Sequence, residues 1–395
     1  MEPRTNVSFD DTAVAFSSKS NAELYKMYWL FKSMNSNTFV KIGGGLLNTA
    51  INLHLPVKFI VKPTIFSHFC GGETITESER AIQELGKYNI GTILDYSVEG
   101  EGSEASYNAT RDELLRTVEK ARGNKNIPFS VFKVTGLVDI KLLEKVQDRK
   151  ELSADERAAF ERGRDRVNAI CKRCYEANVR VFVDAEESWI QETIDNLTYE
   201  MMELYNKEKA IVYNTYQLYR HDRLDAIKRD YDNAVKGGYY LGGKLVRGAY
   251  MEKERKRASE QGYQDPINLS KKASDELFDN AVRYCVEHID RIAICAGTHN
   301  ENSCYHLMEL MKQHNIAPGD ERVYFAQLFG MSDNLSYNLA NAGYNAAKYV
   351  PYGPVEAVMP YLLRRANENT AIAGQSSREL TLIQREVERR KAARK

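Results

Sequence analysis

Two charged residues lie in runs that otherwise have the composition of buried β-strands. Lys133 lies in SVFKVTGL and Asp184 lies in VFVDAEE. A buried charge is costly unless it is paired or has a function. Because neighbouring parallel strands are about 4.8 Å apart, we predict a buried Lys133–Asp184 ion pair at a functional site. The alternative is a surface strand whose polar residues point outward.

A second candidate is the string KLVRGAY, which begins at Lys244. Lys244, Arg247 and Tyr250 surround a Gly248–Ala249 step. Glycine allows a bulky ligand to approach the backbone closely. The two cations could offset the charge of a phosphate or a reduced flavin.

The tripeptide Thr298, His299 and Asn300 follows the apolar run IAICAG. Its side chains offer hydrogen-bond donors for a pyrophosphate or a flavin edge. A lone histidine is often structural, but the position at the end of a strand favours ligand binding.

Two consecutive arginines, Arg364 and Arg365, lie in a helical stretch near the end of the chain. They point about 100° apart on a helix, and Glu368 and Tyr361 are within helical reach of both. Bidentate arginine–carboxylate pairing suits a small amino acid as ligand. Taken alone, a solvated helix face with ion pairs would account for the same residues.

The elements that must position these residues are short apolar runs separated by long amphipathic stretches. We predict eight strands: Ile90–Tyr96, Ser130–Leu137, Arg180–Ala185, Ala210–Gln217, Gly243–Tyr250, Ile292–His299, Val323–Leu328 and Ala346–Pro351. Helical stretches between them include 154–177, 189–207, 222–236, 268–289, 301–314 and 333–342. Continuous apolar strands alternating with helices indicate a parallel sheet that is buried on both faces. Eight such units predict an α/β fold, a distorted (βα)8 TIM-like barrel.

The barrel divides the chain into three expected parts. Residues 1–89 are predicted to form a helical N-terminal arm, 90–375 the catalytic barrel, and 376–395 a basic C-terminal helix. In such a barrel the active site lies at the C-terminal ends of the strands. Almost every predicted strand ends in a polar group; the candidates there are Asp95, Lys133, Asp184, Asn214, Gln217, Arg247, Tyr250, His299, Asn300, Gln327 and Tyr349.

Composition excludes several other classes of protein. The 55 basic and 55 acidic residues give a formal net charge of zero, which argues against a nucleic-acid-binding protein. Six cysteines are too few for a disulfide scaffold, and we interpret Cys171 and Cys174 as ordinary helix residues, since no second CxxC follows. Rossmann, Walker, HExxH and GxSxG motifs are absent from the sequence, so barrel loops must hold any cofactor.

The ends of the chain bear on location. The N-terminus MEPRTNVSFDD has no basic region followed by an apolar run, which predicts a cytoplasmic protein. The C-terminal cations Arg389, Arg390, Lys391, Arg394 and Lys395 could meet an anionic surface at the inner face of the membrane. A solvated helix end is the plainer interpretation.

These motifs together resemble one family. FKVTGL, VDAEE, NTYQ, KLVRGAY, THN, QLFGM and KYVPYGP with PYLLRRANEN occur in the order found in proline dehydrogenases, also called proline oxidases. The resemblance covers roughly residues 65–375 and is strongest to the eukaryote-like, monofunctional branch. It implies a distorted barrel that binds FAD without a Rossmann domain.

The resemblance also implies roles for individual residues. Lys133 and Asp184 match ion-paired active-site residues, and Lys244 stands where many bacterial members have an arginine near the reactive flavin nitrogen; we expect these three to be catalytic. The expected cofactor contacts are Asp184, Asn214 at the flavin pyrimidine, Gln217, Lys244, Arg247, Gly248, Ala249, Thr298, His299, Asn300 and Gln327. The expected substrate contacts are Lys133, the pocket walls Tyr250, Leu328, Tyr349 and Tyr361, and the carboxylate clamp Arg364 and Arg365 with Glu368 as its ion-pair partner.

The activity implied by the resemblance is oxidation of L-proline to 1-pyrroline-5-carboxylate by hydride transfer to the flavin. Electrons then pass to a quinone, with peripheral membrane contact where the quinone is in a membrane. The product passes to a separate pyrroline-5-carboxylate (glutamate semialdehyde) dehydrogenase, and no metal is expected.

Three alternatives remain open at this point. A hydroxyproline dehydrogenase is disfavoured by Tyr349, whose bulk would crowd a hydroxylated ring. A barrel aldolase or lyase would use Lys133 as a Schiff base. A binding protein with a decayed site would have no reason to keep charges at its strand ends.

Overall fold

The structure is a computed structural model, and it describes residues 7–34, 58–98, 102–371 and 375–394. For residues 60, 366–371 and 375–377 it describes the backbone alone. Contacts within the chain divide it into two compact units, residues 1–5 with 99–326 (unit 1) and residues 6–98 with 327–395 (unit 2). Each unit is described by itself below.

Eight parallel strands follow one another in a closed barrel, in the order β1 to β8. Their bounds are Ile90–Tyr96 (β1), Phe129–Phe132 (β2), Arg180–Val183 (β3), Val212–Gln217 (β4), Leu241–Val246 (β5), Ile292–Gly297 (β6), Val323–Leu328 (β7) and Ala346–Tyr352 (β8). The predicted (βα)8 TIM-like barrel is confirmed.

The α-helices of the described residues, numbered here in chain order, precede these strands, alternate with them and follow them. They are Thr12–Ala15 (α1), Asn21–Met34 (α2), Lys58–Val61 (α3), Ser67–Phe69 (α4), Ile75–Gly86 (α5), Glu104–Ala121 (α6), Ile140–Gln147 (α7), Ala154–Ala177 (α8), Ser188–Tyr205 (α9), Arg223–Gly237 (α10), Met251–Gln261 (α11), Lys271–Glu287 (α12), Glu301–Gln313 (α13), Asp333–Asn341 (α14), Val355–Ala371 (α15) and Gln375–Ala392 (α16). A π-helix, Lys62–Phe66, joins α3 to α4, and a 3-10 turn, Val134–Gly136, follows β2.

Several predicted strands extend too far at their C-terminal ends. The observed strands β2, β3, β5 and β6 end before the polar residues that we had included in them. In the case of β2 the chain turns at once into the Val134–Gly136 turn, where Gly136 N donates to Lys133 O at 3.2 Å instead of extending the ladder. Lys133 therefore begins a loop, which is where a barrel keeps its functional side chains.

In unit 1, rings from several strands form one layer inside the barrel. The Phe129 and Phe182 rings stack at 4.2 Å, and the Tyr324 ring meets Phe129 edge-on at 4.8 Å. Because β2 and β7 are not neighbours in the barrel, the Phe129–Tyr324 contact runs across the interior. Side chains alternate along a strand, so Asp184, two residues after Phe182, lies on the inward face as well.

In unit 2, β1 and β8 pair over their full length, from Ile90 opposite Ala346 to Tyr96 opposite Tyr352. Helices α2 and α16 share a core with α1 that includes Leu24, Phe31 and Leu382. Burying these apolar faces together is what stabilises helices that carry so many charges elsewhere.

Two further observations concern the helices. Cys171 and Cys174 are buried in α8, and burial raises the pKa of both thiols. Within the described parts of the chain, no helix is both long enough and apolar enough to cross a bilayer.

Candidate active site

The strongest electrostatic feature of unit 1 is an ion pair between Lys244 on β5 and Asp184 just after β3. Lys244 Nζ donates to Asp184 Oδ1, and the side chains are only 5% and 16% exposed. The ammonium group also lies 5.2 Å from the centre of the Phe182 ring. This pair therefore places a buried cation beside a buried carboxylate inside the barrel.

The charge of Lys133 acts on a second carboxylate at this end of the barrel, that of Glu186. This carboxylate also accepts Thr135 N at 3.1 Å and the Thr135 hydroxyl. The predicted Lys133–Asp184 pair stays a prediction, whereas the ion pair described for Asp184 is with Lys244. Both lysines nevertheless belong to the same end of the barrel.

Burial gives Glu186 unusual acid–base behaviour. Burial raises the pKa of its carboxyl to about 7, although the charge of Lys133 and the bonds from Thr135 act in the opposite direction. A carboxyl that titrates near neutral pH inside a barrel is typical of functional sites.

This raised pKa predicts how stability depends on pH. Between about pH 4.5 and 7 the folded protein keeps a proton on Glu186 that the unfolded chain releases. The group's contribution to the free energy of unfolding therefore falls as pH rises through this window, by at most about 1.4 kcal/mol per pH unit. Denaturant titrations at pH 5 and pH 8 should show wild type losing stability relative to Glu186→Gln; an equal difference at both pH values would contradict the raised pKa.

The side-chain amide of Gln217, at the end of β4, has a hydrogen-bond partner for its nitrogen but none among the described residues for its oxygen. Its Nε2 donates to Glu186 O at 2.7 Å. Its Oε1 is buried and has no hydrogen-bond partner among the described residues. A buried acceptor without a donor is costly, and a ligand N–H group would satisfy it.

Asn214 points to the opposite face of the same strand. It lies three residues before Gln217, so the two side chains alternate to opposite faces. Asn214 Nδ2 donates to Asp195 Oδ1 at 2.9 Å, and Asp195 lies on helix α9 outside the barrel. The structure therefore does not bring Asn214 together with Gln217, and it satisfies the Asn214 amide within the protein.

Arg247 donates hydrogen bonds to three acceptors at the rim of the barrel. Its guanidinium donates to Asp275 Oδ1 at 2.6 Å, Thr298 Oγ1 at 2.7 Å and Ser303 Oγ at 3.0 Å. It also lies 4.5 Å from the centre of the Phe278 ring. The structure thus brings together Arg247 and Thr298, two of the expected cofactor contacts.

The two residues after Thr298 differ in role. Asn300 is the N-cap of α13, and its Oδ1 accepts Asn302 N at 2.9 Å and Ser303 N at 3.3 Å. His299 is half-buried beside it. A capped helix N-terminus carries a partial positive charge, which suits a phosphate group.

Gly248 and Ala249 are exposed, and Tyr250 is half-buried. Gly248 has φ +125°, and a Cβ there would lie 2.6 Å from Cδ1 of the buried Tyr219 ring. The backbone at this point of KLVRGAY can therefore be adopted only by glycine.

Gly248→Ala is expected to destabilise the protein more than Gly262→Ala, by about 1–3 kcal/mol. Gly262 also has a positive φ, +71°, but nothing lies within 4 Å of a Cβ at that position. Both variants introduce backbone strain, and Gly248→Ala adds the more strained φ of +125° and the clash with Tyr219. The urea concentrations at the unfolding midpoints of the two variants measure this difference in stability. Equal losses of stability would show that the Tyr219 ring moves away freely.

In unit 2 the predicted residues on β7 and β8 are largely buried. Gln327 Oε1 accepts the Ser336 hydroxyl at 2.7 Å. Leu328 packs against the cluster that includes Met331 and Tyr361. Tyr349 is 9% exposed, and its carbonyl accepts Phe329 N at 2.8 Å.

Helix α15 carries the predicted carboxylate clamp. Arg364 and Arg365 are half-buried, and Tyr361 is 8% exposed. The Arg365 guanidinium lies 5.3 Å from the centre of the Tyr361 ring, which restricts its orientation. The side chain of Glu368 lies outside the described residues, so its pairing with the arginines stays a prediction.

Lys348 on β8 was missed by our sequence analysis. It is fully buried, pairs with Asp333 Oδ1 at 2.9 Å and donates to the Met331 carbonyl. Although burial opposes it, the charge of Lys348 holds the pKa of Asp333 below its usual range. The same signal that revealed Lys133, a lysine inside an apolar strand, is present in KYVPYGP and could have found it.

His68 supports the same loop, the residues after β7. Its Nε2 lies 2.8 Å from Gly330 O, and burial lowers the pKa of its imidazole to about 4. Lys348 and His68 together fix the loop that follows Leu328 in unit 2.

Comparison with known proteins agrees with these observations. The family model described as "Proline dehydrogenase" matches residues 78–378. Proline dehydrogenase 1, mitochondrial, of Dictyostelium discoideum is 32% identical, over 96% of this chain and 74% of that protein. The human protein of the same name is 41% identical over 57% of this chain and 38% of its own length.

The solved structures agree in fold. The crystal structure of proline utilization A (PutA) from Bdellovibrio bacteriovorus, inactivated by N-propargylglycine, has a TM-score of 0.71 at 19% identity. The match covers 91% of this chain and 38% of the PutA chain. The match supports the barrel fold, and the family model decides against the aldolase or lyase alternative. The chain therefore belongs to the proline dehydrogenase family, as an oxidoreductase that acts on a CH–NH donor.

Proposed function

We propose that this protein oxidises L-proline to 1-pyrroline-5-carboxylate with FAD as the hydride acceptor and a quinone as the final electron acceptor. The observation that carries the choice of a flavin is Gln217 Oε1, a buried acceptor without a partner among the described residues. The pyrimidine edge of a flavin offers an N–H donor of the kind that such an acceptor needs.

The cofactor would be held mainly by residues of unit 1, with Gln327 of unit 2 as a further proposed contact. Bound FAD supplies a two-electron acceptor for the hydride. Lys244 and Asp184 provide a buried charge pair, Arg247 a rigid cation, and Gly248 with Ala249 an exposed backbone that a ligand can approach. Gln217 replaces Asn214 in this proposal, because the Asn214 amide is already satisfied by Asp195. The remaining proposed contacts are Thr298, His299, Asn300 and Gln327.

The proline carboxylate would be bound by Arg364 and Arg365, with Glu368 as their partner. Tyr361 restricts Arg365 by lying against its guanidinium, so the fork is partly oriented before substrate binds. Lys133, Tyr250, Leu328 and Tyr349 complete the proposed substrate contacts.

The reaction needs a free electron pair on the proline nitrogen. The ammonium form of the substrate first loses a proton to solvent. The C–H bond of the ring carbon beside nitrogen, distal to the carboxylate, then breaks with both electrons leaving as hydride, and the nitrogen lone pair forms the C=N bond. Positioning and a fixed electrostatic environment are what the protein contributes.

Three broader assignments belong to the same proposal. The protein acts in the cytoplasm, with peripheral contact at the inner face of the membrane where it meets its quinone, although several relatives are named mitochondrial. A separate pyrroline-5-carboxylate dehydrogenase consumes the product. The parts 1–89, 90–375 and 376–395 serve as arm, catalytic barrel and basic helix.

Cofactor release and substrate comparison test the proposal. Denaturing the purified protein should release FAD, identified by mass spectrometry, and L-proline should reduce a water-soluble quinone faster than hydroxyproline does. The largely buried Tyr349 ring supports this preference. Release of no flavin would overturn the choice of FAD as cofactor. Faster turnover of hydroxyproline would overturn the choice of L-proline as substrate.

A further inference from the structure

Glu186 connects two of the residues assigned above to the site. It is 4% exposed and lies just after β3, within the motif VDAEE. Neither family resemblance nor the proposed reaction gives it a role. Its side chain and its backbone each make a separate contact with a different part of unit 1.

The carboxylate of Glu186 holds the turn that follows Lys133. Oε1 accepts Thr135 N at 3.1 Å and Oε2 accepts the Thr135 hydroxyl. Thr135 lies two residues after Lys133, in the Val134–Gly136 turn. Two bonds to one carboxylate fix both the position and the orientation of this turn.

The backbone of Glu186 orients Gln217. A carbonyl oxygen can only accept, so the Gln217 Nε2 end must face Glu186 O. This forces Oε1 to the opposite side, where it is buried without a partner among the described residues. The Glu186 peptide is itself fixed, because Glu186 N donates to Gln191 Oε1 at 2.7 Å.

We infer that Glu186 is a positioning residue, which sets the Lys133 turn through its carboxylate and presents the Gln217 oxygen to the flavin through its carbonyl. The inference rests on the proposed FAD-dependent function. Thr135 is its partner, since the hydroxyl and amide of Thr135 are what anchor the Glu186 side chain.

The affinity of the apo-protein for FAD tests this role without relying on activity. Glu186→Gln should raise the FAD dissociation constant, measured by quenching of flavin fluorescence, by about tenfold, the effect of losing one good hydrogen bond. Thr135→Val should do the same, while Thr135→Ser, which keeps the hydroxyl, should restore binding to within about twofold. Circular dichroism establishes which variants fold. If Glu186→Gln does not fold, the comparison of Thr135→Val with Thr135→Ser tests the inference.

Glu187→Gln is the matched control. Glu187 is also buried, but its carboxylate pairs with Lys253 at 2.9 Å on the neighbouring helix α11. This variant should bind FAD as wild type does. Unchanged FAD affinity in folded Glu186→Gln or Thr135→Val, or equal losses in Thr135→Ser and Thr135→Val, would overturn the inference. Failure of wild-type apo-protein to bind FAD at all would instead overturn the proposed function.

Discussion

Lys244→Met is expected to lower the rate of flavin reduction by proline about 10²–10³-fold, the usual cost of losing one preorganised electrostatic group. Lys244 is 4% exposed and provides the cation paired with Asp184 inside the barrel. Its loss removes positive charge from the place where the reduced cofactor is proposed to gain negative charge. Stopped-flow absorbance under anaerobic conditions measures this rate.

Two further variants separate this effect from folding. Removing one partner of a buried pair commonly costs about 3–5 kcal/mol, so the double variant Lys244→Met with Asp184→Asn should recover stability but not rate. Lys244→Arg keeps the charge and should lose less than about tenfold.

Lys256→Met provides the control. Lys256 is 76% exposed and pairs with Glu260 within one helix, a surface interaction worth at most about 1 kcal/mol. Its rate should equal that of wild type. A Lys244→Met rate within twofold of wild type would refute the electrostatic role.

Arg365→Met is expected to raise the KM for proline about 100-fold or more, with flavin content unchanged. A charge-assisted hydrogen bond contributes about 1.5–3 kcal/mol, and a bidentate arginine makes two of them. Because proline is small, few other contacts can compensate for this loss. Steady-state kinetics over a wide proline range, together with the flavin-to-protein absorbance ratio, measure both quantities.

The conservative variant and a surface control sharpen this test. Arg365→Lys keeps the charge but not the planar fork that lies against Tyr361, so an intermediate KM is expected. Arg80→Met removes an arginine that is 79% exposed and paired with Glu84, and it should leave KM unchanged. An unaltered KM in Arg365→Met would contradict the carboxylate clamp and favour a solvated helix face for these arginines.

The barrel could be predicted from sequence because its signal is repeated eight times. The predicted and observed bounds of β1 and β7 agree, since apolar composition changes sharply at their ends. The end of β2 was harder to predict, because Lys133 and Thr135 have strand-like neighbours in the sequence. In the structure their hydrogen bonds belong to a turn and to Glu186. Composition does not reveal where a ladder of hydrogen bonds ends.

The site was predicted in its residue types more than in its contacts. Reasoning from adjacent strands paired Asp184 with Lys133, which stays a prediction. The strand pattern did not reveal that Lys244, two strands away from Asp184 in the closed barrel, also reaches this carboxylate. Asn214 and Gln217 both lie in β4, and their spacing of three residues places them on opposite faces. What the sequence could not show is that Asp195 already satisfies the Asn214 amide. Glu186 gave no signal of its own, because an acidic residue after a strand is ordinarily solvated.

The most direct test of the central claim is an absorbance spectrum of the purified, FAD-loaded protein, recorded before and after anaerobic addition of L-proline. The account predicts an oxidised flavin band that bleaches with L-proline in wild type, and that needs far more proline to bleach in Arg365→Met. A protein that takes up no flavin, or a flavin band that L-proline leaves unchanged, would contradict it.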